Sequence, residues 1–420
     1  MKLLTSAVVA SLVLGACQNE ENVSSQKNEE GRLVDLRSDL RKEILMPAID
    51  TIEARQIVPG LETYIDGSLE KEQKVLKEAA TLLGDLMLKT YIAENSPVNS
   101  QTNLNEEIPD NQEFRILRDA HPKGHQCLQG EIQVLENDLF ADGLLGKEAT
   151  FPALLRVSSS SATPESDDVN DVRGLAVKID PQGLNHDLVM LSSNIFPTNN
   201  AKQFTSLVKV ARVAGCMEGI ADIFSCVSKA KLGIRDIPAI ISAAGLFNSL
   251  QENSAIESPF EKSFFGVSSY RYEDGTVFKY ELSPCQPGSY SLADGEIDTA
   301  TGKANLENHI RRVLDDSEVC YNVNLVKLPD SLDPEKAIET HTKTWDELAG
   351  ETLPRIPVAI VKVGSQEHQE VSALECDNMS FNPTNLSQGF EGLGSLNRAR
   401  KEIYRVLSDF RIQANDTLRK

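Results

Sequence analysis

The sequence lacks a surplus of positive charge. Its 42 lysines and arginines are outnumbered by 63 aspartates and glutamates, which gives a formal net charge of −21. Nucleic acids and anionic membrane surfaces would repel such a chain, so neither is expected as a partner. An internal repeat of fixed period is also absent from the sequence. At 420 residues, the chain is long enough for two or three domains, or for one large domain with additions.

Long apolar runs are absent after the first 17 residues, so no later segment is predicted to span a membrane. The N-terminal run is itself too short for a transmembrane helix and has the layout of a secretory signal. It resembles a bacterial lipoprotein signal, because Leu14 precedes Cys17 by three residues and small residues lie between them. This resemblance implies acylation of Cys17, and Gln18 favours sorting to the outer membrane. We therefore expect residues 1–17 to be a signal peptide and the exported protein to face the periplasm from the outer membrane.

The sequence has no CxxC pair and no Cys/His spacing typical of a zinc site. Of its seven cysteines, Cys17 is assigned to the lipid, and an exported protein can bridge the others. Cys216 and Cys226 are closest in sequence and could form a disulfide, but sequence alone does not fix the connectivity. Disulfides are preferred to a redox role for the remaining cysteines, which are Cys127, Cys216, Cys226, Cys285, Cys320 and Cys376.

Composition divides the rest of the chain into three parts. Residues 18–32 are polar and rich in Glu, Asn and Ser, which predicts a disordered tether. Residues 33–111 predict a helical extension and a linker, and the clearest helix has one apolar stripe opposite a charged face. This stripe consists of Leu76, Ala79, Leu83, Leu86 and Met87. Docking on the main domain is its simplest role, and binding a partner is the alternative. Residues 112–420 are expected to form the main domain.

Short β-prone runs, separated by Asp, Gly, Pro and Ser clusters, begin near Phe114. Residues 266–284 predict a hairpin that turns at Asp274 and Gly275. Between residues 204 and 250 the apolar spacing is helical instead. These patterns together predict an α+β fold, with an antiparallel barrel or sandwich and helices packed outside it.

A helix is predicted near the C-terminus, in the segment LGSLNRARKEIYRVLSDFR, where apolar residues recur at helical spacing. Arg400 and Tyr404 are four residues apart and share one face, and Arg411 lies two turns beyond Tyr404. Nearby cations favour the charged phenolate form of a tyrosine, which is a suitable ligand for ferric iron. The alternative is that Tyr404 lies at the edge of the core while both arginines are solvated.

Several blocks of the sequence resemble the catalase superfamily. RDAHPKGHQCLQGEIQV, from residue 118 to 134, is similar to the Arg-x-x-His-x-Lys-Gly stretch that carries the essential distal histidine of that family. Arg156-Val-Ser158 matches its Arg-Phe-Ser strand. Residues 169–180 match its Arg-Asp-x-Arg-Gly block, with Asn170 in place of the first arginine.

The C-terminal blocks are similar to the small catalase-related branch of this superfamily. These blocks are CDNMSFNPTN, from residue 376, and the helix that carries Arg400, Tyr404 and Arg411 at the spacing of the family's proximal haem-ligand motif. The resemblance covers roughly residues 114–415. It implies a catalase-like antiparallel β-barrel core with surrounding helices and a C-terminal haem-ligand helix.

The resemblance also implies a site for haem b. His121 would be the general base that moves the peroxide proton, and Ser158 would orient its ring by a hydrogen bond. Tyr404 would bind the iron through its phenolate, which Arg400 would keep unprotonated. His125, four residues after His121, is interpreted as structural. The residues expected to contact the cofactor are Arg118, Arg156, Phe204, Arg400 and Arg411, because guanidinium groups suit the haem propionates and phenylalanine suits the ring.

The sequence departs from the catalase pattern in the distal half of this site. Catalases carry an asparagine after the strand that here reads HDLVML, whereas this chain has Ser192 at that point and Asn194 two residues later. The polar partner of the peroxide is therefore expected to be Ser192 or Asn194, or to be absent. Ala120, before His121, is small enough to admit a bulkier hydroperoxide.

The expected function is haem-dependent breakdown of hydrogen peroxide or organic hydroperoxides, of the catalase or peroxidase type. One alternative is rearrangement of organic hydroperoxides, as in the allene oxide synthase relatives of the superfamily. The other is a haem-binding lipoprotein without turnover. Because the long C-terminal additions of large catalases do not follow Arg411 here, a monomer or homodimer is expected.

Overall fold

The computed structural model of the protein describes most of the chain after the N-terminal segment. The predicted signal, the predicted tether, Cys17 and Cys216 lie outside the described residues. The described residues are 36–93, 114–137, 139–140, 144–161, 164, 166–213, 223–252, 257–293, 297–298, 303–304, 306–365, 376 and 378–419.

Every strand pairing among the described residues is antiparallel. In chain order they are β1 (Tyr91–Ala93), β2 (Phe114–Ile116), β3 (Gly124–Val134), β4 (Ala149–Ser159), β5 (Arg173–Ile179), β6 (His186–Leu191), β7 (Phe264–Phe265), β8 (Ser269–Tyr272), β9 (Val277–Pro284), β10 (Ile297–Asp298), β11 (Lys303–Ala304), β12 (Val319–Lys327), β13 (Ile356–Val363) and β14 (Phe390–Leu393).

Eight of these strands close into an antiparallel barrel in the order β12-β13-β3-β4-β5-β6-β7-β9. The ring closes because β9 pairs with β12, with Val323 opposite Leu282. The pair β8–β14 extends from β9 outside the ring. Closure gives each of these eight strands a neighbour on both sides, although the two-residue β7 pairs with β6 only at Leu191 and Phe265. The fold expected from the sequence, a catalase-like barrel with helices around it, is confirmed.

Alternation of side chains explains why these runs form barrel strands. In β9 buried and half-buried residues alternate along most of the strand, as period-two patterning requires. The preceding turn contains Gly275 at φ +93°, a conformation that favours glycine, so the predicted hairpin at Asp274 and Gly275 is confirmed. The barrel interior is filled by a buried aromatic and aliphatic cluster that includes Phe140, Phe278 and Phe390.

Helices lie before the barrel, between β6 and β7, between β11 and β12, between β12 and β13, and after β14. They are α1 (Met46–Asp50), α2 (Leu69–Met87), α3 (Ala201–Ala211), α4 (Ile223–Lys229), α5 (Ile237–Glu252), α6 (Leu306–Asp316), α7 (Pro334–Glu339), α8 (Trp345–Ala349) and α9 (Gly394–Leu418), and a π-helical turn (Arg41–Leu45) precedes α1. No helix among the described residues is long and apolar enough to cross a membrane.

The N-terminal helices pack against the long C-terminal helix α9. Leu76 of α2 and Phe410 of α9 are both fully buried in one apolar cluster, which is separate from the barrel interior. A second contact is ionic: the buried Arg398 guanidinium of α9 binds Glu62 at 2.7 Å and Glu72 at 2.6 Å. Both contacts fix the position of α9 relative to the extension.

Two disulfides lie within the described residues. Cys127 of β3 pairs with Cys376, 249 residues later, and Cys285 pairs with Cys320 beside the β9–β12 closure. The first bridge holds the segment before α9 against the barrel. The suggested Cys216–Cys226 bridge involves a residue outside the described part and stays a prediction.

Candidate active site

Two adjoining cavities lie between the barrel and helix α9. The smaller holds about 660 Å³ and the larger about 1700 Å³, counting space open to solvent. His121, from the segment that precedes β3, and Tyr404, from the middle of α9, line both cavities. The two residues are 283 positions apart in sequence (404 minus 121), and the fold brings them to one space.

His121 is held in a defined orientation. Its backbone has φ +54°, an uncommon conformation for a residue other than glycine that costs of the order of 1–3 kcal/mol. The Arg156 guanidinium donates a hydrogen bond of 2.9 Å to the His121 carbonyl. Ser158 Oγ lies 3.1 Å from His121 Nδ1, and the Ser158 hydroxyl donates to the carbonyl of Gly174 at 3.4 Å. In this arrangement Ser158 accepts the Nδ1 hydrogen, so Nε2 keeps the lone pair that can take a proton.

Gly174 of β5 forms the surface against which this pair lies. A Cβ atom at residue 174 would stand 2.5 Å from His121 Nδ1 and 2.7 Å from Ser158 Oγ, both too close for packed atoms. The position of the imidazole therefore depends on the absence of a side chain at residue 174.

Burial and charge both keep the His121 ring neutral. Burial, the largest cause, and the nearby guanidinium groups of Arg156, Arg118 and Arg400 together lower the pKa of His121 from 6.5 to about 3. A neutral imidazole is the form that accepts a proton, so His121 is ready to act as a base over the whole neutral range.

Tyr404 of α9 lines both cavities together with His121. The Arg400 guanidinium, one turn earlier, sits 5.6 Å from the centre of the Tyr404 ring. Arg400 is itself anchored by hydrogen bonds to Ser268 Oγ (3.0 Å) and to the carbonyl of Val189 (3.3 Å). The cation therefore stays beside the phenol ring, as the helical spacing predicts.

Three arginines line the smaller cavity: Arg118, Arg156 and Arg411. They come from three separate parts of the chain. Arg118 and Arg411 converge on one loop, because both donate hydrogen bonds to the carbonyl of Met379, at 2.5 and 3.1 Å. This end of the site is therefore strongly cationic although the whole chain is acidic, which suits a dianionic or bis-carboxylate ligand.

Phe204 lines the candidate site, whereas the two predicted distal polar residues, Ser192 and Asn194, do not. Phe204 of α3 lines the larger cavity and packs on Phe196, with 5.9 Å between ring centres. Ser192 lines neither cavity, because its hydroxyl accepts the backbone N–H of Arg173 at 2.8 Å. Asn194 is exposed and also lines neither cavity. The structure thus does not bring Ser192 or Asn194 to His121.

Sequence reasoning missed several polar residues that line the site, and the charged one among them is Asp119. Asp119, two residues before His121, lines both cavities, and burial raises the pKa of its carboxyl. Its place in the segment RDAHPKG was the only available signal. His125, by contrast, faces away and binds Ser159 Oγ at 2.8 Å, which agrees with the structural role expected for it. Among the described residues, no group of three His, Cys, Asp or Glu side chains could hold a metal ion.

Comparison with known proteins finds catalases that are similar to this chain in part of the sequence and in fold. The catalase family model matches residues 95–265 of the chain. A bacterial catalase has a similar structure, with a TM-score of 0.54, 15% identity, and coverage of 87% of this chain and 69% of that one. Catalase A from Saccharomyces cerevisiae has a TM-score of 0.54 and 14% identity, with coverage of 70% of this chain and 59% of that one. A fungal catalase has a TM-score of 0.52 and 13% identity, with coverage of 70% of this chain and 57% of that one.

The chain therefore spans less than two thirds of the length of the yeast and fungal catalases. Among curated proteins, no relative matches the sequence. The family match covers less than half of the chain and agrees with the resemblance of the sequence motifs to the catalase superfamily, and the solved structures show that the fold is shared.

Proposed function

We propose that this protein binds haem b between His121 and Tyr404 and breaks down hydrogen peroxide or an organic hydroperoxide. The observation that carries the proposal is that both side chains line the same two cavities. The imidazole is neutral and oriented by Ser158, and the phenol has a guanidinium beside it.

The donor set fits haem. A tyrosine oxygen is a known axial ligand of haem iron. The Arg118, Arg156 and Arg411 guanidiniums offer several N–H groups each, so contacts with backbone carbonyls are compatible with binding two propionates. The buried hydroxyl oxygen of Ser408 lines the smaller cavity and has no hydrogen-bond partner among the described residues, which suits a polar guest there.

Each residue has a defined task in this proposal. Haem, when bound, would supply the redox-active iron at which the O–O bond of the peroxide is cleaved. Tyr404 would hold that iron through its phenol oxygen, and Arg400 would lie beside the ring. His121 would take the proton from the near oxygen of the peroxide at Nε2 and return it to the far oxygen, which then leaves as water or alcohol.

Assays with different substrates separate the possible reactions. Purified, haem-loaded protein is mixed with hydrogen peroxide, with and without an added electron donor, while peroxide loss and oxygen release are followed. Catalase-type turnover converts two peroxide molecules into two waters and one oxygen molecule without a donor. Loss of peroxide only with a donor indicates a peroxidase. Haem binding without loss of any hydroperoxide would overturn the enzymatic proposal and leave the haem-binding lipoprotein.

Rearrangement of an organic hydroperoxide is the second candidate. The apolar walls of the larger cavity favour it, because such a substrate carries a hydrocarbon chain. This reaction needs no electron donor and releases no oxygen, so loss of an alkyl hydroperoxide without either would identify it.

We also propose that the exported protein is attached to the outer membrane by a lipid on Cys17. Metabolic labelling with a fatty acid tests the acylation of Cys17.

The pH dependence of the rate should show no inflection near the ordinary histidine pKa of 6.5. Because the pKa of His121 is lowered to about 3, the neutral base is fully present above that value and is lost only as the pH falls through it. The check is kcat/KM of the haem-loaded protein between about pH 5 and about pH 8. An acidic limb centred near 6.5 that disappears in His121→Gln would contradict this assignment.

Gly174→Ala should lower kcat/KM by up to about a hundredfold, because the added methyl would displace His121 and Ser158 from their present positions. Gly364→Ala is the matched control, since no atom lies within 4 Å of a Cβ at residue 364. Both variants should bind haem with the same spectrum. Equal rates for the two variants would show that the orientation of His121 does not limit turnover.

A further inference from the structure

All three arginines that line the smaller cavity lie beside one disulfide bridge. We propose that the Cys127–Cys376 disulfide positions these arginines, so that the site binds a bis-carboxylate ligand tightly only while the bridge is oxidised. This inference rests on the proposed function, because haem b carries two propionates. The arginines are Arg118, Arg156 and Arg411.

Cys376 begins the segment whose backbone holds two of these arginines. The Cys376 carbonyl accepts a hydrogen bond from Arg118 at 3.1 Å. The Met379 carbonyl accepts hydrogen bonds from Arg118 at 2.5 Å and from Arg411 at 3.1 Å. The Asn378 carbonyl accepts a further one from Arg411 at 3.5 Å. Because all these acceptors are backbone oxygens, their positions depend on the path of the segment and not on its side chains.

Cys127, the other end of the bridge, lies beside the third arginine. In the β3–β4 ladder Cys127 stands directly opposite Arg156. The Arg156 guanidinium donates a hydrogen bond of 2.9 Å to the carbonyl of His121. The bridge therefore joins the strand pair that carries Arg156 to the segment that holds Arg118 and Arg411.

Beyond the arginine contacts, the segment has a second attachment to the barrel. The Asn382 backbone N–H donates to the Asp187 carboxylate of β6 at 2.8 Å, and the Asn385 side chain donates to the same oxygen at 2.9 Å. The bridge and this polar contact hold the segment on both sides of Met379. Without the bridge, the Cys376 end would keep only noncovalent contacts with the barrel, and the two guanidinium groups would lose a fixed set of acceptors.

Fixed guanidinium groups matter because carboxylates are recognised by geometry as well as by charge. A planar guanidinium binds a carboxylate through two parallel N–H bonds, which requires a defined orientation. Groups that are already ordered in the free protein bind more tightly, because they lose less freedom when the ligand arrives. A cross-link that acts in this way should affect a ligand with carboxylates and leave an uncharged analogue of the same shape unaffected.

The test measures the binding of two metal-free porphyrins to the full chain by fluorescence: protoporphyrin IX, which has two carboxylates, and its dimethyl ester, which has none. The absence of iron excludes any contribution from a bond to Tyr404. Cys127→Ser together with Cys376→Ser should weaken protoporphyrin IX binding about tenfold or more and change ester binding by less than about twofold.

Cys285→Ser together with Cys320→Ser is the matched control, since it removes the other disulfide of the described residues. That bridge lies beside the β9–β12 closure, and neither cysteine is among the described residues that line the cavities. Its removal should change the affinity for either porphyrin by less than about twofold.

A double-mutant cycle separates positioning of the arginines from a general loss of stability. Arg118→Gln together with Arg411→Gln removes the two guanidinium groups that the segment holds. In that background, loss of the Cys127–Cys376 bridge should change protoporphyrin IX affinity by less than about twofold, because those groups are no longer there to be positioned. A full and additive loss of affinity in this background would overturn the proposal.

Reduction of the bridge gives a second route if the serine variant does not fold. A dithiol transfers two electrons and two protons to the Cys127–Cys376 bond, which becomes two thiols while the dithiol closes to a cyclic disulfide. In the folded Cys285→Ser/Cys320→Ser protein, this treatment should release bound protoporphyrin IX, and reoxidation should restore binding. By linkage, bound protoporphyrin IX should also shift the thiol–disulfide equilibrium toward the bridge, and the dimethyl ester should not.

The two proposals fail in different ways. If the wild-type protein binds haem and protoporphyrin IX, and loss of the Cys127–Cys376 bridge leaves both affinities unchanged, the positioning role is overturned and the proposed function stands. Equal losses for the acid and the ester would also overturn the positioning role, because they would indicate general damage to the cavity. A wild-type protein that binds neither haem nor protoporphyrin IX would overturn both proposals.

Discussion

Replacing His121 by alanine should reduce the peroxide turnover of the haem-loaded protein by about 10²–10⁴-fold, the range typical for loss of a positioned proton carrier. The reason is geometric. His121 is the residue whose Nδ1 is fixed by Ser158 while its ring lines the cavity shared with Tyr404. Haem content should be unchanged, because no propionate or iron contact is assigned to this side chain. The measurement is initial peroxide loss per haem in a stopped-flow instrument.

His125→Ala is the matched control for loss of a buried imidazole from the same segment. His125 lies four residues later, binds Ser159 and lines neither cavity. Its replacement should lower stability more than turnover per haem. Ser158→Ala should produce a smaller loss than His121→Ala, because it removes only the orientation of the ring. A His121→Ala protein that turns over at the wild-type rate would exclude His121 as the proton carrier.

Replacing Arg398 by alanine should lower the free energy of unfolding by about 3–5 kcal/mol, the usual cost of breaking a buried ion pair by removing one partner. The Arg398 side chain is 1% exposed, and those of Glu62 and Glu72 are fully buried. Its guanidinium makes bonds of 2.6 and 2.9 Å to the two oxygens of Glu72. The variant would leave two buried carboxylates without this partner and loosen the extension from α9. Urea unfolding is the measurement.

Arg405→Ala, on the same helix, is the control for this substitution. The Arg405 side chain is 40% exposed and pairs with Glu402 at 2.8 Å, an arrangement whose loss costs about 0–1 kcal/mol. A similar loss of stability in both variants would show that the buried network does not hold the extension. Because α9 also carries Tyr404, we expect Arg398→Ala to weaken haem retention as well.

The barrel could be predicted from local patterns together with the motif resemblance. Alternating residues and the Asp274–Gly275 turn indicate the strands and the hairpin on physical grounds alone. Closure through β9 and β12 could not be read from the residues, because pairing partners are set by packing across the whole sheet. The Arg398 network has the same origin, since Arg398 lies 336 positions from Glu62 and 326 from Glu72.

The candidate site was predictable where a residue's chemistry is fixed by its spacing, as for Arg400 and Tyr404 on one helix face. His121 and Ser158 were found only through the resemblance to catalases, because no local pattern links residues 37 positions apart. The prediction of a distal polar residue in the loop after β6 was wrong for Ser192 and Asn194, because neither residue lines the site. There, the hydroxyl of Ser192 is used by the backbone of Arg173, which a sequence pattern does not reveal. Asp119 had no signal besides its neighbours.

The central claim is that Tyr404 holds a haem iron opposite His121. The most direct measurement is the absorption and electron paramagnetic resonance spectrum of the ferric, haem-loaded protein, compared with that of Tyr404→Phe. The wild-type protein should give the signature of high-spin iron bound to a tyrosine phenolate, and Tyr404→Phe should lose it while retaining the fold. Identical spectra for the two proteins, or no haem binding by the wild type, would contradict the claim.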